Sequence, residues 1–188
     1  CAVAKEKKKF KENWWRMHRR YYKIADLTIQ VDSDLPINNN TFNIKFKQFE
    51  VSAPGEDLIK IRHYFMPLDL KYKDLGKEVY HKYPWKIYRK DTAWIYSSVA
   101  NAGDDEKPSQ LAIFNQDYSY ARILNNSKDG FLRGNLNSLT LFQSDQILLA
   151  QALADRQGFS LHSCGIILNG EGLLFVGHSG SGKSTMAG

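Results

Sequence analysis

Residues 177–188 have the sequence Gly177-His178-Ser179-Gly180-Ser181-Gly182-Lys183-Ser184-Thr185-Met186-Ala187-Gly188. Within this stretch, Gly177 to Ser184 fits the pattern G-x-x-x-x-G-K-[ST] of a phosphate-binding P-loop. The apolar run Leu173–Val176 stands directly before the pattern and is typical of a short buried strand. A strand, a glycine-rich turn and the start of a helix are the context that the motif requires. The alternative is a Gly/Ser-rich turn that matches the pattern by coincidence.

The residue types of this stretch suit the binding of a nucleoside triphosphate. Backbone N–H groups converge on phosphate oxygens where glycines tolerate positive φ and allow a close approach. The lysine is expected to reach the β- and γ-phosphates, and the hydroxyl of Ser184 to ligate Mg²⁺. ATP and Mg²⁺ are therefore the predicted cofactors. The predicted nucleotide-binding residues are Gly177, His178, Ser179, Gly180, Ser181, Gly182, Lys183, Ser184 and Thr185.

The motif lies at the end of the sequence. A magnesium-binding carboxylate and a catalytic base usually complete such a site, and they are expected beyond Gly188. We therefore expect this chain to be the front portion of a longer protein. Taken alone, the chain is expected to be inactive as a kinase.

Composition and charge set broader limits. The chain has 188 residues, a net charge of +6 and 13% aromatic residues, which suits a globular protein with a β-rich core. The basic balance indicates an anionic partner, and nucleotide phosphate already supplies one, so nucleic acid is not required. The sequence contains neither an apolar run of about 18 residues nor the apolar core of a signal peptide. We expect no membrane span and a cytoplasmic location, and a homo-oligomer is left open.

Residues 1–21 are predicted to form a basic helical lead-in. Phe10, Trp14 and Met17 fall at helical spacing and form one stripe on this helix. We expect the stripe to dock on the domain that follows. The alternatives are a helix that binds a membrane surface or nucleic acid.

Residues 22–137 have the alternation and the polar turns of a β-rich domain, either mainly antiparallel or layered α+β. The predicted strands are Tyr22–Val31, Phe42–Lys47, Ile59–Phe65, Lys86–Arg89, Thr92–Ser97, Leu111–Phe114 and Tyr118–Leu124. His63 shares the apolar face of its strand and is interpreted as a packed histidine with one hydrogen-bond partner. The acidic run Asp104–Glu106 is interpreted as a solvated loop tip. Aromatic residues of the 85–96 stretch are interpreted as packing groups, because a base-stacking platform needs exposed rings.

The character of the sequence changes near residue 138. The predicted elements are a strand Ser138–Phe142, a helix over about Asp145–Gln157 with Ser144 as its N-cap, and the strands Leu161–Leu168 and Leu173–Val176. Asn169–Gly172 is a tight turn, so the last two strands are predicted to be hairpin neighbours.

The stretch from Leu161 to Thr185 resembles the start of the kinase domain of HPr kinase/phosphorylase-related proteins, which belong to the phosphoenolpyruvate-carboxykinase-like P-loop group. The resemblance covers about residues 144–188. It implies an α+β protein, with a β-rich N-terminal domain followed by the first strands and the P-loop of a kinase domain over residues 138–188. It also implies an ATP-dependent phosphotransferase that acts on a hydroxyl group of a protein or peptide. His162 stands where the family places a histidine near the active site, so it is the candidate catalytic residue.

Without the resemblance, His162 has two interpretations. It polarises a phosphate or relays a proton, or it is a strand-edge histidine with a structural hydrogen bond. Cys164 lies two residues further, on the same strand face, and two such ligands are too few for a zinc site. Cys164 is therefore interpreted as a small buried apolar residue.

Three alternative functions stay open at this point. The first is a small-molecule kinase or carboxykinase of the same fold, and the second is a nucleotide-binding regulatory module without catalysis. The third is a nucleic-acid-binding β domain with a basic arm, which predicts binding that depends steeply on salt.

Overall fold

The computed structural model describes residues 14, 17–66, 68, 74–99, 108–142 and 145–187. It divides the chain into two compact units, Cys1–Leu148 and Leu149–Gly188, whereas the sequence changes character near residue 138. Three predicted features lie outside the described residues: most of the basic helix, the acidic run Asp104–Glu106 and the cap residue Ser144.

A nine-stranded sheet forms the body of the first unit. Its strands are β1 (Arg19–Ile24), β2 (Leu27–Ser33), β3 (Glu50–Val51), β4 (Asp57–Phe65), β5 (Lys77–Lys82), β6 (Trp85–Lys90), β7 (Ala93–Val99), β8 (Pro108–Phe114) and β9 (Tyr120–Asn125). Their order is β3-β1-β2-β4-β9-β8-β7-β6-β5. Strand β4 pairs in parallel with β2 and β9, and the other pairs are antiparallel. The prediction of a β-rich unit is confirmed, and the sheet is mixed.

The first strands differ from the prediction in two ways. Arg19 already begins β1. Of the stripe predicted to dock, Met17 is exposed, whereas Trp14 is half-buried and its ring stacks on that of His18 with centroids 4.2 Å apart. The single strand predicted over Tyr22–Val31 is wrong, because β1 and β2 form a hairpin. Its turn has Ala25 at a φ of 54°, and it lacks the Asn-Gly signal that usually marks such a turn in sequence.

The strand predicted over Phe42–Lys47 is also wrong, because a 3-10 helix spans Ile44–Phe49. Phe42 and Phe46 are both buried with their rings against Tyr22, whereas Ile44 between them is 73% exposed. Apolar residues spaced by four suit one face of a helix as well as one face of a strand. The spacing of Phe42 and Phe46 therefore did not distinguish a helix from a strand.

Asn43 begins this 3-10 helix. Its side-chain oxygen accepts a hydrogen bond from the Lys45 N–H at 3.0 Å, and its amide donates to Oδ1 of Asn135 at 2.7 Å. These two bonds fix the position of the helix start.

Replacing Asn43 by alanine is expected to lower the free energy of unfolding of the first unit by about 1 kcal/mol, the usual effect of losing a capping side chain. Chemical denaturation followed by tryptophan fluorescence measures this loss, because all four tryptophans precede Leu149. The matched control is Asn39→Ala on the exposed neighbouring loop, which is expected to change stability by less than about 0.5 kcal/mol. Equal losses in the two variants would contradict the capping role.

One face of the sheet, the core face, is covered. Ile29, Ile61 and Ile123 lie on it and are fully buried. The 3-10 helix, the short helix α1 (Asp129–Arg133) and the segment 138–142 lie over this face. Phe131 of α1 contacts the rings of three residues, His63, Phe65 and Phe42.

The segment Ser138–Phe142 is irregular, so the strand predicted there is wrong. The N–H groups of Leu139 and Thr140 donate to the carboxylate of Asp145, at 2.7 and 2.9 Å, rather than to a neighbouring strand. Burial raises the pKa of Asp145, and these hydrogen bonds oppose the rise. A half-buried carboxylate therefore organises this segment.

Polar side chains connect the same segment to the sheet. Nε2 of His63 donates to the Leu139 carbonyl at 2.8 Å, and His63 is fully buried. Nε2 of Gln110 donates to Oδ1 of Asn125 at 2.7 Å and to the Thr140 carbonyl at 3.1 Å. The interpretation of His63 as a packed histidine is confirmed.

The remaining elements are the helix α2 (Gln146–Ala154), the strands β10 (Ser163–Leu168) and β11 (Glu171–Val176), and the helix α3 (Lys183–Ala187). Helix α2 ends earlier than predicted, and the Gly158 N–H donates to the Leu153 carbonyl at 2.8 Å just past its end. None of the described helices combines the length and the apolar composition that crossing a bilayer requires.

Candidate nucleotide-binding site

The hairpin of β10 and β11 carries the candidate site. Its turn, Asn169-Gly170, has positive φ at both residues, 52° and 85°, as in the turns that join antiparallel strands most tightly. The predicted hairpin is confirmed. Because Ser163 pairs with Val176, the residue before β10 and the loop after β11 lie at the same end of the hairpin. His162 and Gly177 are therefore brought to one place by the pairing register.

The loop after β11 turns back on itself before α3 begins. Gly180 and Gly182 have φ values of 83° and 80°, a conformation that side chains with a Cβ rarely adopt. The Ser181 N–H donates to the His178 carbonyl at 3.3 Å, and the Met186 N–H donates to the Gly182 carbonyl at 3.0 Å. The glycines of the motif are thus required by the backbone at these two positions.

The ammonium group of Lys183 is held against this loop. It donates to the carbonyls of Gly177 and His178, both at 2.8 Å. Phosphate oxygens carry full negative charge and form stronger hydrogen bonds with an ammonium group than neutral carbonyls do. A phosphate group that reached this ammonium would therefore be a stronger acceptor than the two carbonyls that hold it.

His162 and the loop line one cleft of about 450 Å³. Its lining residues are His162, Ser163, Cys164, Ser179, Gly180, Gly182, Lys183, Ser184 and Thr185. The volume lies in the range of about 300–1,000 Å³ that is usual for small-molecule sites. Of the other predicted site residues, Gly177 and His178 contribute the carbonyls that hold Lys183, and Ser181 does not line the cleft.

Sequence reasoning missed Ser163 and Cys164 as lining residues. Cys164 is half-buried with a free thiol, whereas the sequence indicated a buried apolar residue. Both residues begin β10 beside His162, at the hairpin end from which the loop emerges. The predicted hairpin already implied this proximity, because the start of its first strand lies beside the end of its second.

The residues of the cleft suit a phosphate group with its magnesium ion. Backbone N–H groups, the Lys183 ammonium and four hydroxyl groups (Ser163, Ser179, Ser184 and Thr185) supply donors for phosphate oxygens. The hydroxyl oxygen of exposed Ser184 is a hard donor of the kind Mg²⁺ prefers. In the described part of the chain, no group of three His, Cys, Asp or Glu side chains is placed to hold a metal ion. Mg²⁺ in nucleotide sites usually has few protein ligands beside phosphate and water, so Ser184 fits that role.

No protein-family model, curated protein or solved structure matches this chain. The resemblance of Leu161–Thr185 to HPr kinase-related proteins therefore stays a prediction, and the geometry of the hairpin and its loop carries the functional argument.

Proposed function

We propose that this chain binds ATP with Mg²⁺ at the loop Gly177–Ser184, as part of an HPr-kinase-like phosphotransferase that acts on a hydroxyl group of a protein or peptide. The observation that carries the proposal is the Lys183 ammonium, held by two loop carbonyls beside glycines at positive φ. His162 in the same cleft supports the assignment of a reaction as well as of binding.

Each residue has a distinct task in this proposal. Lys183 exchanges its carbonyl acceptors for β- and γ-phosphate oxygens. The Ser184 hydroxyl orients the metal, which when bound neutralises phosphate charge. His162 donates a hydrogen bond to a phosphate oxygen or accepts the proton of the acceptor hydroxyl, both of which are tasks that imidazole performs near neutral pH.

Mg²⁺ is expected to raise the affinity for ATP, and the magnesium part of the proposal predicts that this increase is smaller in Ser184→Ala. We expect about a tenfold smaller gain than in the wild type, or about 1.4 kcal/mol, because a direct metal ligand is removed. Calorimetric titration of the intact protein with ATP, once with Mg²⁺ and once with a chelator, measures the gain for each variant.

The matched control is Ser160→Ala, an exposed serine that does not line the cleft, and it is expected to keep the wild-type gain. Absence of ATP binding in the wild type under both conditions would overturn the proposal. Binding without phosphate transfer to any protein or peptide hydroxyl would identify a regulatory module, and transfer to a small molecule would identify a different kinase of this fold.

A further inference from the structure

On the sheet face opposite the core face, β1, β4 and β9 present exposed side chains, whereas Thr28, Gln30 and Asp32 of β2 are buried. Side chains alternate between the two faces along a strand. Arg62 and Tyr64 flank the buried His63 on β4, and Arg122 precedes the buried Ile123 on β9, so they lie on this opposite face. We call its cations and tyrosines the basic face: Arg19, Lys23, Lys60, Arg62, Arg122, Tyr21, Tyr64 and Tyr120.

Among the described residues, the five cations of the basic face have two carboxylate partners, Asp32 for Arg19 and Asp26 for Lys23 at 3.8 Å. On the strand residues that form it, the one carboxylate is Asp32, and Arg19 already binds it through two hydrogen bonds of 2.6 and 2.9 Å. Arg62 pairs in register with Arg122 on the neighbouring strand. Among the described residues, no carboxylate forms a salt bridge with either of these two arginines. Like charges directly opposite on neighbouring strands are destabilising, and an anion bound between them removes that cost.

Aromatic rings are interleaved with these cations. The guanidinium of Arg62 lies over the Tyr64 ring, 5.1 Å from its centroid. Tyr120 is 37% exposed. Burial and the neighbouring Tyr64 raise the pKa of Tyr120, while Arg122 and Arg62 oppose the rise, so each of these three groups lies within electrostatic reach of Tyr120. Flat rings and flat guanidinium groups thus share one surface.

The apolar part of the same sheet face is covered. Ile95, Leu111 and Leu124 are buried there, and Leu68 and Leu75 pack against them. A cleft of about 300 Å³ at the border includes Arg122, together with Asp74, which is paired with Lys90 at 2.8 Å, and Asp91. In the described structure the chain therefore covers the apolar part and leaves Lys23, Lys60, Tyr120 and Arg122 exposed, with Arg62 and Tyr64 half-buried beside them.

We propose that the basic face binds single-stranded nucleic acid. Lys60, Arg62 and Arg122 contact the phosphates, and bases stack on Tyr64 and Tyr120. Proteins that bind single strands combine a positively charged surface with aromatic side chains on which bases stack, and sheet faces are a common platform for this. An acidic peptide would use the cations, but it would give the exposed ring of Tyr120 no stacking partner.

The test measures binding of a fluorescently labelled short oligoadenylate to the intact protein by anisotropy, between about 50 and 200 mM salt. Arg62→Gln combined with Arg122→Gln is expected to weaken binding at least about tenfold at low salt. It is also expected to reduce the slope of log affinity against log salt by about 1.4, because two phosphate contacts are lost. Tyr64→Leu is expected to weaken binding by about tenfold through lost stacking, with the slope unchanged.

The matched control is Lys77→Gln combined with Lys82→Gln on the exposed edge strand β5, which removes the same charge elsewhere. It is expected to leave the affinity within about threefold of the wild type at the higher salt, where distant charges are screened. Thermal melting checks that every variant is folded, and the double arginine variant is expected to melt no lower than the wild type, because a like-charge pair is removed.

Any of the following results would overturn the proposal: no binding at low salt, an equal loss in the lysine control, an unchanged affinity in Tyr64→Leu, or displacement of the oligonucleotide by excess ATP with Mg²⁺. The last result would place the strand at the loop Gly177–Ser184 instead. Polyglutamate that competes as well as unlabelled oligoadenylate of equal charge would identify the basic face as a surface for acidic proteins and would also overturn the proposal.

Discussion

Replacing Lys183 by alanine is expected to weaken ATP binding about a hundredfold, or about 3 kcal/mol. The ammonium is the one lysine or arginine cation among the described residues that line the cleft. Its removal deprives the phosphate oxygens of a charge-assisted hydrogen bond, the strongest class of hydrogen bond in a protein. The carbonyls of Gly177 and His178 that lose their donor are close to solvent, so folding is expected to be unaffected.

Calorimetric titration of the intact protein with ATP and Mg²⁺ measures this loss. The matched control is Lys128→Ala, an exposed lysine of the first unit, which is expected to bind ATP like the wild type. Lys183→Arg is expected to bind more weakly than the wild type, because a planar guanidinium does not reproduce the compact ammonium between two carbonyls. Equal ATP affinity in Lys183→Ala and the wild type would refute the nucleotide site.

The first unit is expected to lose about 3 kcal/mol of stability through His63 as the pH falls from about 6.5 to about 4. Burial lowers the pKa of His63 from 6.5 to about 4 in the folded protein, and the bond to the Leu139 carbonyl opposes this only in part. Above pH 6.5 the imidazole is neutral in both states, so the stability is fully present. Below it the unfolded chain takes up a proton that the folded protein does not, until the pH reaches the folded pKa.

Denaturation of the wild type and of His63→Gln across this pH range measures the effect. Glutamine retains an N–H group for the Leu139 carbonyl but does not titrate, so the difference between the two proteins isolates the imidazole. The raised pKa of Asp145 acts in the opposite direction, because the folded protein takes up that proton more readily, and it cancels in the comparison. Parallel pH profiles for the two proteins would show that folding leaves the pKa of His63 unchanged, and they would contradict the prediction.

Local patterns predicted the elements whose signals lie within a few residues. The alternation around His63 correctly predicted its strand and its burial. The turn at Asn169-Gly170 correctly predicted the hairpin that brings His162 close to the loop. The errors came where one pattern fits two structures, as with Phe42 and Phe46, or where a turn such as Ala25-Asp26 has no glycine.

Long-range arrangement was not accessible to such reasoning. The parallel pairing of Lys60 with Tyr120 depends on contacts between distant parts of the chain. Lys60, Arg62 and Arg122 stand far apart in the sequence, and no local pattern indicates the strands that bring them onto one face. Likewise, the motif identified Lys183 but not the carbonyls that hold it.

The central position of β4 sets the order in which the first unit becomes complete. The hairpin of β1 and β2 and the consecutive strands β5 to β9 pair with near neighbours in sequence, so each group forms by short loop closures. Strand β4 joins the groups only when β9 is available. During synthesis β4 therefore cannot complete its pairing until β9 has been made. The joining of β4 to β9 is expected to limit the folding rate, as non-local pairing generally does.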